Sequence, residues 1–377
     1  MSGQIVFWIC VALLAYTFLG YQLCIGLLAR MAPAPAPASG TPPECVAVLV
    51  VACEEEARIG ARVANLLATP IVPEVIVCSD GSTDGTAAQA RLAGARVFEF
   101  PKRRGKAACL SEVIPALEAP LIVLTDTRQE FTPETIPRLV RHFADPAIGA
   151  VSGILRIKNS STSAGAGVDI YWKMETTLRR CESDFDSCIG CTGAVYAIRR
   201  SLFQPIPSDT ILDDVVIPML ISLSGSRVIY DSHAEAFDPQ QLDPAAETRR
   251  KARTLAGNFQ MLFGHPAWLL PWKNRLAWQL IPHKYLRIAG PALLLSALAS
   301  SACLARAPFY RACLGLQVFL YLLAAAGLAF PSLRLRVFSI PAGFLFLNLM
   351  TLRGAGRFLF GPKGGAWDAR HATQEPG

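Results

Sequence analysis

Charge is scarce in this chain: 17% of its 377 residues are Asp, Glu, Lys or Arg, and between Ile5 and Ala29 there is none. That scarcity excludes an intrinsically disordered protein, and the length excludes a single mini-domain, so at least one full core is expected. Another absence argues against a zinc finger. Cys188 and Cys191 form one CxxC, without the second ligand pair that a structural zinc site requires. Of the 11 cysteines, Cys10, Cys24, Cys303 and Cys313 sit inside apolar runs, which favours reduced thiols over a disulfide framework. The terminal apolar runs also lack internal acids and bases, which argues against a transporter.

What the chain does have is length in its apolar runs and a positive balance. Ile5 to Ala29 can cross a hydrocarbon layer of ~30 Å at ~1.5 Å per residue, and it reads as a transmembrane anchor. The alternative, a cleaved signal peptide, is disfavoured because "MSGQIV" has no basic start and the run exceeds the usual apolar segment of about 7 to 15 residues. Ile288 to Ala305 and Ala312 to Leu333, parted only by Arg306 to Arg311, predict a helical hairpin. Val337 to Leu352, interrupted by Pro341 and Gly343, either spans or lies re-entrant. The net charge of 36 − 29 = +7 fits an anionic partner: nucleic acid, a phosphate-bearing substrate or an anionic lipid leaflet. Nucleic acid fares poorly, since the basic residues cluster beside the apolar runs. Arg30, Lys284 and Arg287 flank the long middle segment, and the positive-inside bias puts it in the cytoplasm. Three terminal spans would leave Arg353, Arg357 and Lys363 on the opposite side, against the same rule.

"MAPAPAPASGTPPE" is a proline-rich, extended connector. Beyond it, "CVAVLVVA", "EVIVCSD", "ARVFEF" and "PLIVLTDT" read as strands, and "EARIGARVANLLA", "DGTAAQARLAG" and "KAACLSEVIPALEA" as helices. Buried strands alternating with helices predict parallel βαβ units, whose ligands gather beyond the carboxyl ends of the strands. Three of those ends carry acids: Glu54 to Glu56, Asp80 with Asp84, and Asp126. In "DGSTDGT", Gly81 and Gly85 permit a tight turn, and Asp84 either simply caps the next helix or borders a site for a ribose, a base edge or a cation-bridged phosphate.

With "RRGKAACL", "IVLTDTRQEFTPETI", "GCTGAVYAIRRSLF", "ILDDVVIPMLISLSGSRVIY", "RRKARTLAGNFQ" and "IPHKYLR" following in order, Cys45 to Arg287 resembles the membrane-bound family 2 glycosyltransferases, of the cellulose synthase-like, exopolysaccharide type. The tail "NLMTLRGAGRFLFGPKGGAWD" resembles them too. The resemblance implies a GT-A fold, that is, a Rossmann-like α/β cytoplasmic domain with a mostly parallel sheet, carried between N-terminal and C-terminal transmembrane helices. It also implies inverting transfer of a sugar from a nucleotide sugar, UDP-linked, to a lipid-linked or polysaccharide acceptor, with Mg2+ or Mn2+ on the donor. The expected layout is an anchor over 1–30, the linker 31–44, the GT-A domain 45–262, an interfacial amphipathic segment 263–287 and a transmembrane region 288–377 with two to four spans. Its expected location is the bacterial inner membrane.

The same resemblance distributes roles. Glu55 and Asp80 match positions that face the base and ribose, and Lys106 a lysine near the phosphates; its plain alternative is a solvated helix face beside Lys102 to Arg104. Asp126 is the first aspartate of DxD, but Arg128 stands in place of the second. Either Asp126 holds the metal alone with phosphate oxygens and water, or Arg128 contacts phosphate and lessens the need for metal. "ILDD" matches an acidic pair in which Asp214 is the base and Asp213 its neighbour; adjacent negative charges help one of them accept a proton, provided a turn or helix start brings them together. Cys191, Thr192 and Gly193 lie on the acceptor side, or merely form a Gly-rich turn. Arg253 matches the arginine of QxxRW and would bind diphosphate, while Arg250 and Thr254 replace the glutamine and tryptophan, which disfavours a long processive synthase. Trp268, Trp272 and Trp278 among Lys273, Arg275, Lys284 and Arg287 predict a segment that either lies in the headgroup layer touching membrane lipids or docks the domain to its own transmembrane helices. The departures at Ser79, Arg128, Arg250 and Thr254 motivate a competing expectation, a degenerate, non-catalytic scaffold of the same fold.

Overall fold

The computed structural model describes residues 2–38, 40–71, 73–157, 163–239, 244–330 and 335–361; the sequence-predicted Lys363 and the tail beyond it lie outside them. Two compact units emerge, one built from Met1–Ala32, Asn159–Glu182 and Leu242–Gly361, the other from Pro33–Lys158 and Ser183–Gln241. The first begins with α1 (Ser2–Ala15) and α2 (Tyr21–Met31), joined through a π-helical turn at Tyr16–Gly20.

In the second unit, β1 (Val46–Ala52), α3 (Glu56–Leu67), β2 (Glu74–Asp80), α4 (Thr86–Leu92), β3 (Arg96–Phe100), α5 (Lys106–Val113) and β4 (Leu121–Thr125) follow the predicted alternation. β1 is buried at every position, as a central parallel strand covered on both faces must be. It pairs in parallel with β2 and β4, and β2 with β3. The chain continues through β5 (Glu130–Phe131), α6 (Thr135–Val140) and β6 (Ile148–Ile157), passes through α7 (Ser163–Phe185), most of which belongs to the first unit, and returns in β7 (Val195–Arg199), α8 (Asp213–Leu223) and β8 (Arg227–Asp238). The eight strands form one sheet in the order β3-β2-β1-β4-β7-β6-β8-β5. Its later half is mixed: β7 runs antiparallel to β4 and β6, and β5 to β8, whereas β6 and β8 are parallel.

One face of the sheet, with Val48, Val50, Val123, Val195 and Ala197, packs against Ile59, Val63 and Leu66 of α3 and Ile136 and Leu139 of α6. Side chains alternate along a strand, so Leu49, Ile122, Leu124 and Tyr196 point to the other face, which the reversed crossover β3-α5-β4 covers with α5. That second face carries the site.

In the first unit, α9 (Pro244–Gly264), α10 (Ala277–Leu280), α11 (Leu286–Cys303), α12 (Pro308–Ala329) and α13 (Arg336–Phe360) complete the helices. Four helices among the described residues are long and apolar enough to cross a membrane: Ser2–Met31, Ala277–Cys303, Pro308–Ala329 and Arg336–Phe360. The second of these begins well before Ile288, because α10 continues through a π-helical turn at Ile281–Tyr285 into α11. Its charged side chains are compensated from α7. His283 Nδ1 lies 2.8 Å from Glu182 Oε1 and Nε2 lies 2.8 Å from Glu175 Oε1. Arg287 donates to Glu175 Oε2 at 2.8 Å, and the Tyr21 hydroxyl donates to Glu182 Oε1 at 2.6 Å. Burial alone would push the Glu175 carboxyl up, but the charges of His283, Lys284 and Arg287 hold it well below the usual carboxylate range.

Candidate active site

The turns after β1 and β2 are tied together by their own acids. Glu54 adopts a left-handed conformation (φ 58°), and its Oε1 accepts the Thr83 amide at 2.7 Å. The Glu56 amide donates to Asp84 Oδ2 at 3.1 Å, and the Gly85 amide to Glu56 Oε2 at 3.1 Å. Burial raises the Asp84 carboxyl, yet hydrogen bonds from Thr86 and the Glu56 amide hold it below its ordinary value. Asp84 therefore cross-links the two turns, its Oδ1 accepting the Thr86 amide at 3.0 Å, while Gly85 holds the N-cap position of α4. The Glu55 amide donates to Thr86 Oγ1 at 2.8 Å, while its carboxylate pairs with Arg58 at 3.1 Å.

Asp80, at the end of β2, is buried, and its two oxygens accept the amides of Arg104 at 2.7 Å and Gly105 at 2.8 Å. It thereby fixes the loop that starts α5. Gly81 makes this approach possible: its φ is +67°, and a Cβ there would collide with the backbone of Arg103. Asp80, Arg103 and Lys106 line a small recess with Val51, Ala52 and Cys53. Burial pushes the Cys53 thiol up, so it stays protonated at neutral pH.

Lys106 opens α5 and joins two of the predicted carboxylates. Its Nζ lies 2.9 Å from Asp126 Oδ1 and 3.4 Å from Asp213 Oδ2. Burial alone would lower its pKa, but Asp126 and Asp213 together raise it, so the ammonium stays charged. Asp126 follows β4 and leads into a bend at Thr127 and Arg128, in which Thr127 and Gln129 are buried while Asp126 and Arg128 stay half-open. Arg128 NH2 is 3.7 Å from Asp238 Oδ2, longer than a hydrogen bond, so the guanidinium is steered and remains able to bond elsewhere.

Asp213 and Asp214 form the first turn of α8, the helix start that their proximity required. The glycine-rich segment closes on them. The Cys191 amide donates to the Asp214 carbonyl at 2.7 Å, and a Cβ on Gly193 would lie 2.8 Å from Asp214 Oδ2, so only glycine lets the loop approach. Thr192 is held by its amide to Ser152 Oγ at 2.9 Å and its hydroxyl to the Gly153 carbonyl at 2.8 Å. The structure thus brings together Lys106, Asp126, Asp213, Asp214, Cys191 and Gly193, while Arg128, half-open two residues after Asp126, is steered by Asp238. Arg253 lies on α9 in the other unit, half-buried, and Thr254 bonds the carbonyl of Arg250 at 3.1 Å.

Sequence reading missed Cys53, Arg103 and Tyr196. The Tyr196 hydroxyl is fully buried and has no hydrogen-bond partner among the described residues, and neither does Asp213 Oδ2. The one available signal was alternation: in "GAVYAI" a phenol occupies an inward position of an apolar strand.

Comparison with known proteins gives this geometry its context. Residues 47–206 match the model of glycosyl transferase family 2. A stretch of 103 residues is 34% identical to the succinoglycan biosynthesis protein ExoU of Rhizobium meliloti (strain 1021), covering 26% of this chain and 30% of that protein. A stretch of 198 residues is 24% identical to poly-beta-1,6-N-acetyl-D-glucosamine synthase of Staphylococcus aureus (strain COL), covering 50% of this chain and 48% of the relative. The chain therefore spans less than half the length of either. The mannosyltransferase PcManGT from Pyrobaculum calidifontis, solved with GDP-Man and Mn2+, shares the fold with a TM-score of 0.71 at 22% identity, over 94% of this chain and 99% of that one.

Proposed function

We propose that the chain is a glycosyltransferase of family 2, whose model its residues 47–206 match, and that it transfers a sugar from a nucleoside-diphosphate donor, UDP-linked, to a lipid-linked or polysaccharide acceptor at a membrane. The observation that carries this reading is Lys106, whose ammonium joins Asp126 to Asp213 in one open-faced cluster. Such a cluster suits a reaction in which negative charge leaves on a diphosphate while a carboxylate takes a proton.

Each group has a part. Glu55 and Asp80 face the nucleoside, and Asp80 acts in addition by fixing the loop that carries Lys106. Asp214 accepts the proton of the acceptor hydroxyl. The freed oxygen attacks the anomeric carbon from the side opposite the diphosphate, the bond to the phosphate oxygen breaks, and the configuration inverts. Lys106 and Arg128 balance the charge that accumulates on the departing diphosphate. Cys191, Thr192 and Gly193 form the acceptor wall beside Asp214, with Asp213 the second carboxylate of the pair.

A divalent cation fits this donor set in one way only. Among the described residues no three His, Cys, Asp or Glu side chains gather as ligands, so a protein cage is out of reach. Lys106 contacts Oδ1 of Asp126 alone, and that side chain keeps 28% of its surface exposed. Mg2+ and Mn2+ accept a site of one carboxylate completed by substrate phosphates and water, so Asp126 would hold the ion together with the donor. When bound, the ion would stabilise charge on the leaving diphosphate. The positive-inside bias supports a cytoplasmic catalytic unit in a bacterial inner membrane, and the names of the curated relatives support a glycan product.

The test is nucleoside diphosphate release by the purified full chain in membrane vesicles, with UDP- and GDP-sugars, with and without manganese. Release from a UDP-sugar, stimulated by manganese, is expected. No release from any donor, together with no nucleotide binding, would overturn the reading.

A further inference from the structure

We propose that Tyr196 is a positioning residue for this reaction: its hydroxyl supplies the hydrogen bond that the Asp213–Asp214 pair takes up once the cleft is loaded. The proposal rests on the reading of the site given above and goes beyond it, since neither the family motifs nor the sequence pattern assigns Tyr196 any role.

The argument begins with an anomaly. Tyr196 is 0% exposed, and its hydroxyl has no partner among the described residues. Burying such a group is unfavourable, and phenylalanine would fill the same apolar place without that penalty. A retained, unpartnered hydroxyl needs an explanation, and its surroundings give one. β7 pairs with β4 so that Tyr196 stands opposite Leu124, on the sheet face covered by α5. The titratable groups that act on the phenol are Asp213 and Asp214 from α8, Cys191 from the glycine loop and Asp126 after β4, with Lys106 from α5 joining Asp126 to Asp213. Burial and these carboxylates push the phenol well above its ordinary range, so it remains a neutral donor at any working pH.

The complementary vacancy in bonding lies on Asp213. Its Oδ2 is buried and has no hydrogen bond among the described residues, the Lys106 ammonium standing 3.4 Å away while making its closer contact, 2.9 Å, with Asp126. A donor short of an acceptor and an acceptor short of a donor thus lie buried in the same charged cluster. When a diphosphate draws Lys106 toward itself, Asp213 loses its cation and Tyr196 becomes the donor that keeps the pair in place. Asp214, next in the same helical turn, is then held at the geometry it needs to take the acceptor proton. No bond is made or broken at Tyr196; it donates one hydrogen bond and keeps its proton.

The experiment is Y196F and D213N, singly and combined, in the full chain. Y196F should fold with undiminished thermal stability, bind UDP as the parent does, keep the donor KM, and lose about tenfold in kcat, the size of effect that misplacing a reacting group produces. Because Tyr196 acts through Asp213, adding Y196F to D213N should cost nothing further. Parental kcat in Y196F, or losses that multiply in the double variant, would overturn the inference while leaving the transferase reading intact. A parent chain that neither binds nucleotide nor releases nucleoside diphosphate would remove both together.

Discussion

Two clusters of buried charge can be set side by side. In the helical unit, each ring nitrogen of His283 faces a carboxylate at 2.8 Å, and Arg287 and Tyr21 hold the same two glutamates at 2.8 and 2.6 Å. In the α/β unit, Lys106 is shared unequally between two aspartates, Arg128 stands 3.7 Å from Asp238, and Asp213 Oδ2, the Tyr196 hydroxyl and Thr127 Oγ1 are buried without a hydrogen bond among the described residues. The first set meets both of its carboxylates at hydrogen-bond distance and ties helices together. The second is open, as a site completed by its substrate is. The contrast separates charge that stabilises from charge that waits, and it is more informative than burial, which both clusters share.

The contrast can be broken most forcefully at Asp214. D214N should lower kcat by about 10²- to 10⁴-fold, the usual contribution of a general base, while UDP still binds by calorimetry. Unchanged turnover would remove the base from Asp214 and favour a scaffold. On the closed side, H283L should destabilise the protein by about 3–5 kcal/mol, because Glu175 and Glu182 would be left buried without their shared partner. Thermal unfolding in detergent measures this, and an unshifted midpoint would mean that the network holds nothing together.

A smaller change sharpens the open side. G193A would bring a Cβ within 2.8 Å of Asp214 Oδ2, and the resulting displacement should cost about tenfold in kcat with stability little altered. The smallest effect concerns Asp231, which is paired with His142 at 2.8 Å and Arg141 at 2.9 Å. Burial raises its carboxyl, but His142, the His233 amide and Arg141 bring it down to about 2. A depressed folded value adds stability above the unfolded value and loses it as pH falls from about 4 toward 2. D231N should therefore lower stability at neutral pH by about 1 kcal/mol and flatten that acid limb, as equilibrium unfolding against pH would reveal.

The two clusters also differ in how far they could be read beforehand. β1, β2 and β4 were legible because continuous β-branched runs end in acids, and the acids of "DGSTDGT" and "LTDTRQ" fall where the strands end. The mixed pairing of β7 with β4 and β6 was not, since an apolar run such as "AVYAI" carries no sign of strand direction. The motif order marked Lys106, Asp126, Asp213 and Asp214 as one site, but not that Asp80 would give both oxygens to the amides of Arg104 and Gly105. His283 and Glu182 stand 101 residues apart, and "IPHKYLR" read as an interfacial basic segment because its compensating acids lie on α7. Long-range pairing leaves no local trace in sequence.

Calorimetry of UDP against the full chain, with and without manganese, tests the central claim most directly. Saturable binding that strengthens with manganese and weakens when Lys106 is replaced by methionine is the predicted result. Binding that is absent, or indifferent to Lys106, would contradict the claim that this open cluster is built to receive a nucleotide diphosphate.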